Sequence, residues 1–506
     1  MKRSNVYVTL TLLTGALGSA ASVAAAFRGP PGPVASDDPS PAPIKVLTSS
    51  GALAHGLIFV TPTGQAAPPL TNPGDGGAAT PPATADGGVT APESGPEIID
   101  NKGRPVWFLP LAQGLGATDF RVQRYRGESV LTWIQSAGGF SRGPTVDIIA
   151  DRHYRTIATV SAGNGLIADT HEFRLTDEGT ALITIYNTVP YDLSSVGGPQ
   201  SGKVTEGVVQ EIDVATGKVL FEWHSLDHVG LDESHQPLPA TTAQAWDYFH
   251  INAVNPDRDG NLLISSRHTW TVYKLDRHTG AVIWRLGGKK SDFQLGPGVA
   301  FAWQHDPLPA DGPGTFRLFD NEAGTGAPVL PYSRVIWVHH DDYTKTATLE
   351  RWFKHPENLL AASQGNSQAL DNGDTFVGWG QVPRISEFDR KGNLIWDAEF
   401  TGGGTYRAYR HEWIGEPDTI PAARAEAATS GGTTVHAIWN GATRVARWEI
   451  LGSGRAGHPL SWIEAARWDG FDTPVNVSGT LAEVQVIARD EHNRELGRSA
   501  VTAIGN

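Results

Sequence analysis

The 506-residue sequence contains no cysteine, which excludes disulfide staples, thiol nucleophiles, thiolate metal sites and a lipidated cysteine. Basic residues are in deficit: 40 Lys and Arg face 54 Asp and Glu, for a formal charge of −14. A surface so short of positive charge is unsuited to a nucleic-acid groove, so an anionic ligand has to be met by local cations. Long helix-like periodicities are few, and beyond the amino-terminal segment no apolar run approaches the roughly 20 residues of a membrane-spanning helix.

What is present points to many short strands. The chain is 40% hydrophobic with 16 Trp and 58 Gly, a composition of strands joined by turns, and its length allows one large unit plus a minor one. The start, MKRSNVYVTLTLLTGALGSAASVAAAF, has Lys2 and Arg3, a short apolar run and small residues before Ala26. That is the layout of a secretory signal peptide over residues 1–26. A secreted or extracytoplasmic protein is expected, tethered to the membrane only if this segment stays uncleaved.

Residues 35–43 and 65–92 are rich in Pro, Gly, Ala or Asp and read as linkers. Between them PIKVLTSSGALAHGLIFVTPTG alternates like one or two strands, which either join the main body or stand apart. A repeat then sets the fold. IIDNKGRPVWF (98–108), EIDVATGKVLFEW (211–223), KLDRHTGAVIW (274–284) and EFDRKGNLIW (387–396) share a strand end, an Asp, a Gly turn and a second strand closed by an aromatic. A weaker copy is HHDDYTKTATLERW (339–352). A second hairpin precedes most copies, beginning at His171, His250, Gln304 and Asn366. Two hairpins make about four strands per unit, as in a propeller blade. The expected architecture is an all-β, six-bladed β-propeller over 95–430, following amino-terminal strands and linker at 27–94. Alternating strands over 431–506, with Trp439, Trp448 and Trp468 to fill a core, predict a small β-sandwich cap of fibronectin or Ig type.

Equivalent positions on propeller blades converge on the central channel. His171, His250 and His305 head the same element in three units, with Asn366 as a polar relative. Any one of the 17 histidines is more readily a strand cap, yet three at one repeat position predict a shared funnel. Asn252 lies two residues after His250, on the same side of a strand. Arg267 ends the next strand, its fork of donors suited to a tetrahedral oxyanion. Asp247, Asp306 and Asp320 are candidates to orient imidazoles, and Trp246, Tyr248, Phe249, Trp270, Trp303 and Trp379 are candidates to wall an apolar pocket. No metal site is expected, since a neighbouring Arg is a poor companion for a cation. No GxSxG elbow of a serine hydrolase occurs.

The ordered motifs HIN (250–252), SSRH (265–268), QHD (304–306), LFDN (318–321) and GWG (378–380) resemble those of the arylsulfotransferase family, in its actinobacterial and fungal branch, over roughly residues 95–450. The resemblance implies transfer of a sulfuryl group from an aryl sulfate ester to a phenolic acceptor, with no cofactor and no nucleotide sulfate donor. It puts His305 at the family's nucleophile, which forms a sulfohistidine, and His171, His250, Asn252 and Arg267 among the residues that bind sulfuryl oxygens. Two other readings stay open on the residues alone: a secreted propeller that binds a ligand or partner without chemistry, and a quinone-dependent dehydrogenase, whose blade signature the DxxTGxxxW element at Asp213 and Asp276 echoes.

Overall fold

The hairpins form where the repeat puts Asp and Gly. Asp213 Oδ1 accepts the Thr216 N–H at 2.8 Å and Asp276 Oδ1 that of Thr279 at 2.7 Å. Gly217 and Gly280 follow with φ of 69° and 74°, a region that a residue without Cβ enters without cost. The DxxTG element is thus accounted for by turn geometry. The computed structural model describes residues 40–63, 93–137, 143–241, 243–428 and 431–504; the expected leader at 1–26 and the 65–92 linker lie outside them.

The architecture is all-β, as expected; three single-turn 3-10 segments are the only helical elements among the described residues. Six antiparallel meanders follow one another. Their first strands are Leu115–Tyr125, Ala168–Leu175, Ile251–Pro256, His305–Pro309, Asn366–Ala369 and Tyr409–His411. Each buried cluster of the main body bridges one sheet and the next. Phe173 of the second sheet packs with Ile134 of the first, Trp284 of the third with Phe316 of the fourth, and Phe59 of the sixth with Trp133 of the first.

The first strands make an inner circuit held by side-chain rungs. Gln123 donates to Phe173 O at 2.8 Å, Tyr186 to Ile251 O at 3.0 Å, Asn255 to Pro307 O at 2.9 Å and Gln368 to Arg410 O at 2.8 Å. Arg317 joins the fourth sheet to the fifth through Ser367 O at 2.9 Å, and Arg121 joins the first sheet to the sixth through the Tyr409 hydroxyl at 2.9 Å. All of these rungs but the last end on a backbone carbonyl, so buried polar groups on both sides find partners, which is what burial demands.

The closing aromatics of the repeat seal neighbouring sheets. Trp223 donates to Gly280 O of the next sheet at 3.1 Å, Trp396 to Asn101 O at 2.9 Å, and both are at most 2% exposed. Removal of such a ring costs about 3–5 kcal/mol. The weaker copy differs: Trp352 is 44% exposed and stacks on Tyr332.

The amino-terminal strands belong to the main body. Ile44–Ser49 pairs with Leu394–Phe400, and Leu57–Val60 lies between Tyr409–His411 and Glu97–Ile99. The sixth sheet is therefore built mostly from the beginning of the chain, and the 98–108 hairpin, at the start of the range expected for the propeller, completes this last sheet. Ala422–Ala427, within the range 95–430 expected for the propeller, pairs instead with Thr433–Ile438. That pair and Asp472–Val477 form one sheet of the tail; a second centres on Arg447–Ser453 and Glu483–Arg489. One buried cluster including Val435, Trp448 and Val486 lies between them. The tail is anchored on the main body where Asn440 exchanges both its amide bonds with Phe108 backbone, at 2.9 and 2.8 Å.

Candidate functional site

The inner circuit brings the predicted histidines together. His171 sits mid-strand in Ala168–Leu175, His250 immediately before Ile251–Pro256, and His305 opens His305–Pro309. The His171 and His250 rings meet edge to face at 5.3 Å, and His250 lies 4.5 Å from His268. Tyr186 stacks on His171 at 5.2 Å and Tyr406 meets its edge at 5.6 Å. Four residues around this cluster, His250, Trp303, Asp306 and Gln364, adopt φ between 53° and 67°. Such left-handed backbone costs roughly 1–2 kcal/mol per non-glycine residue and concentrates at functional sites.

Asp247 takes the orienting role that the sequence suggested for it: its Oδ2 lies 2.5 Å from His250 Nδ1. Burial pushes the Asp247 carboxyl up, against the opposing pull of His268 and Arg267. Burial, together with the Arg267 and His171 charges, holds the His250 imidazole well below its usual range. The neutral ring then carries its proton on Nδ1 and leaves Nε2 as the basic atom.

His305 is 1% exposed. Burial first, then the Arg267 charge, holds it well below the ordinary imidazole range. The neutral form of the ring is thereby favoured over the imidazolium. Its Nδ1 lies 2.7 Å from Asn321 Oδ1, and its Nε2 accepts the Gln364 N–H at 3.1 Å. The expectation that Asp306 or Asp320 orients an imidazole is not met. Asp320 accepts from Ala302 N–H and Arg334, and Asp306 lies 3.8 Å from Arg407.

Arg267 donates to Ala362 O at 2.7 Å and to His268 Nε2 at 3.0 Å, and lies 5.0 Å over the Trp303 ring. Burial lowers its guanidinium to about 10, still a fixed cation at neutral pH. The turn at 361–364 therefore closes over the cluster, with Ala362 O on the guanidinium and the Gln364 N–H on His305. A separate cleft of about 190 Å³, lined by Asp257, Lys274, Phe316 and His340 among others, contains none of these groups.

Asn252 serves the scaffold as well as the site. Its amide donates to Gln304 O at 2.7 Å, bracing the residue before His305, and its own carbonyl accepts from Arg407 at 2.9 Å. Arg407 is wholly buried and also reaches Asp119 at 3.1 Å and Glu172 at 3.0 Å, while Arg121 binds the same two acids. Burial pushes Glu172 up, but Arg407 and Arg121 outweigh it and hold the carboxyl down at about 2. Asn366, the polar relative of the histidines, is spent on the sixth sheet, bonding Ala408 N–H and C=O at 2.9 Å each.

Asp247, His250 and His268 each offer a ligand atom within 4.8 Å of the others. Both His268 nitrogens and one of His250 are engaged: His268 Nδ1 lies 2.5 Å from Asp247 O, its Nε2 accepts from Arg267, and His250 Nδ1 meets Asp247 Oδ2. A metal would displace these bonds beside a fixed positive charge, so the donor set fits proton handling better than a metal centre. Of the expected aromatic walls, Trp303 and Trp270 adjoin the site, Trp270 stacked on His235 at 3.6 Å. Trp246, Tyr248, Phe249 and Trp379 are core packing.

His268, Asn321, Tyr186 and Gln364 were not singled out from sequence. Two of them stand inside the SSRH and LFDN motifs, which is the one signal that marks them. The charged network around Arg407 had no sequence signal, because its members come from four separate strands or turns.

The family model described as arylsulfotransferase (ASST) matches residues 121–401. No curated protein matches the chain. Solved structures similar to it include a protein of unknown function from Bacteroides caccae, at 13% identity over 71% of this chain and 100% of that one, with a TM-score of 0.40. A GH43 protein from Bacillus licheniformis is 11% identical over 77% of this chain and 89% of its own, with a TM-score of 0.31. Aldose sugar dehydrogenase from Streptomyces coelicolor, in its PQQ-bound form, is 12% identical over 51% and 81%, with a TM-score of 0.22. At these scores the likenesses carry no conclusion about chemistry.

Proposed function

The chain belongs to the arylsulfotransferase (ASST) family, and from that premise we propose that it moves a sulfuryl group from an aryl sulfate ester to a phenolic acceptor by two displacements through His305. The observation that supports this most is the state of His305: buried, neutral and held at both ring nitrogens beside the Arg267 cation.

In the first displacement the Gln364 N–H gives up its bond to His305 Nε2, the freed Nε2 lone pair attacks sulfur, an N–S bond forms, and the S–O bond to the aryl group breaks with its electron pair going to the phenolic oxygen. In the second, an acceptor phenol loses its proton to His250 as its oxygen attacks sulfur, and the N–S bond pair returns to His305. The imidazolium left at His250 gives its proton to the next leaving aryl oxygen. Splitting transfer in this way lets one pocket serve donor and acceptor in turn. Arg267, His171 and Asn252 surround the negative sulfuryl oxygens with preorganised donors, and proton transfer through His250 contributes a further ~10²- to 10⁴-fold. No cofactor and no nucleotide donor enter the scheme. The aryl ring lies against Trp303 and Trp270.

The six meanders are the blades of a β-propeller with the site at its axis, and the two tail sheets form a sandwich cap. The amino-terminal segment directs export as a cleaved leader. No helix among the described residues is long and apolar enough to cross a membrane.

Release of nitrophenol from nitrophenyl sulfate, followed with and without added phenol, tests the reading. Phenol-stimulated release is expected, lost in Arg267→Ala with folding intact. Absence of release across a panel of aryl sulfates would favour a propeller that binds without chemistry.

A further inference from the structure

We infer that Asn321 is the positioning residue that sets which nitrogen of His305 is nucleophilic. The inference rests on the proposed role of His305 but stands on its own geometry. Asn321 Nδ2 donates to two backbone carbonyls, Ala361 O and Gln364 O, each at 2.9 Å. An amide nitrogen has two hydrogens and no acceptor capacity, so these two bonds fix which way the amide faces. The oxygen end is therefore the one 2.7 Å from His305 Nδ1. A carbonyl oxygen only accepts, so Nδ1 carries the proton and Nε2 the lone pair.

The far side of the ring agrees independently. The Gln364 backbone N–H points at Nε2 from 3.1 Å, and a backbone N–H only donates. Asn321 is itself 0% exposed, and Ser333 Oγ, accepting the Ala361 N–H at 2.8 Å and donating to Asn321 O at 2.7 Å, locks the same turn. The assignment thus runs from the 361–364 turn through Asn321 to the ring. The charged or titratable groups that act most strongly on His305 are cationic or imidazole: Arg267, His250 and His171. None supplies the acceptor that Nδ1–H needs, so the neutral amide does.

A carboxylate at 321 would act differently from an amide of the same shape. It would draw a second proton onto the ring and turn the nucleophile into an imidazolium with no lone pair, besides forfeiting both N–H bonds to the turn. Orientation by a neutral acceptor keeps the imidazole unprotonated while choosing its tautomer, and attack at sulfur needs both.

The test uses the full-length protein labelled with ¹⁵N-histidine and compares it with Asn321→Asp, Asn321→Leu and Asn321→Ser. In the unsubstituted protein the His305 ring, assigned through His305→Gln, is expected as the Nδ1–H tautomer at pH 7. In Asn321→Leu the tautomers mix and kcat for nitrophenyl sulfate falls ~10²-fold or more with KM within a few fold. Asn321→Asp shows an imidazolium whose kcat recovers as pH rises, a profile that a merely structural role does not give. Asn321→Ser, which keeps an acceptor, restores part of the tautomer bias and guards against misfolding of the other two. An Nε2–H tautomer in the unsubstituted protein, or unchanged ring shifts and kcat in folded Asn321→Leu, overturns the inference. The expected tautomer without any sulfuryl transfer would instead overturn the function proposed for the site and leave the positioning intact.

Discussion

Asp247 Oδ2 stands 2.5 Å from His250 Nδ1, while His268 Nδ1 stands 2.5 Å from the backbone oxygen of the same aspartate. One residue thereby fixes two imidazoles, and a carboxylate whose pKa burial has raised stands behind the one proposed to take the acceptor's proton. Asp247→Asn keeps the shape and removes the charge that stabilises the His250 imidazolium. kcat is expected to fall ~10²- to 10⁴-fold with little change in KM. The loss should be greatest for weakly acidic phenols and slight for acceptors already ionised at the assay pH. Equal losses across a series of acceptor phenols would show that Asp247 serves structure only.

Arg267 combines a planar fork with a ring contact to Trp303, and lysine reproduces neither. Arg267→Lys is expected to lower kcat/KM for the donor ~10²- to 10³-fold, and a sulfate ion should protect the unsubstituted protein from heat more than the variant. Equal protection by sulfate would place the anion elsewhere.

The network beneath the site is a matter of stability. Arg407 is wholly buried between Asp119 and Glu172, and its loss would leave two carboxylates away from water with Arg121 as their shared cation. Arg407→Met is expected to cost about 3–5 kcal/mol in urea unfolding. A double substitution that also neutralises Glu172, Arg407→Met with Glu172→Gln, should recover part of that loss. No recovery would mean that packing, and not charge, is what Arg407 supplies.

Acid and alkali act on different groups. His250, His268 and His305 have folded pKa values held below the ordinary value, by burial first. Below about pH 6.5 the unfolded chain takes up protons that the folded chain refuses, so stability falls as pH falls through that range. Glu322 is the reverse case: burial and the neighbouring Asp320 raise it to about 9. It stays protonated when folded and ionises when unfolded, so its contribution is full below about pH 4.5 and is lost as pH rises towards about 9. Urea midpoints from pH 5 to 9 check both arms: His305→Gln should flatten the acid side and Glu322→Gln the alkaline side. Unaltered pH dependence in both variants would contradict the protonation states assigned here.

Much of this was legible in the sequence for a physical reason: hairpin turns are local. Asp213, Gly217 and Trp223 carry a turn, its left-handed residue and its seal within one short stretch, and the repetition of that stretch exposed the sheet units. His171, His250 and His305 could be grouped because they occupy one position in the repeat. What the sequence left undecided is non-local. Leu57–Val60 finds a partner in Tyr409–His411, more than half the chain away, and no local pattern encodes such a pairing. The candidate orienting acids were a mixed case. Asp247 is three residues from its imidazole and was nominated, whereas Asn321 depends on a turn at 361–364 that reaches it through space.

The most direct test of the central claim is the mass of the intact protein after brief exposure to nitrophenyl sulfate with no acceptor present. The account predicts one added SO₃ group per chain, acid-labile, mapped to the peptide containing His305, discharged by phenol and absent from His305→Ala. Nitrophenol released in stoichiometric amount without any adduct, or an adduct that persists in His305→Ala, would contradict it.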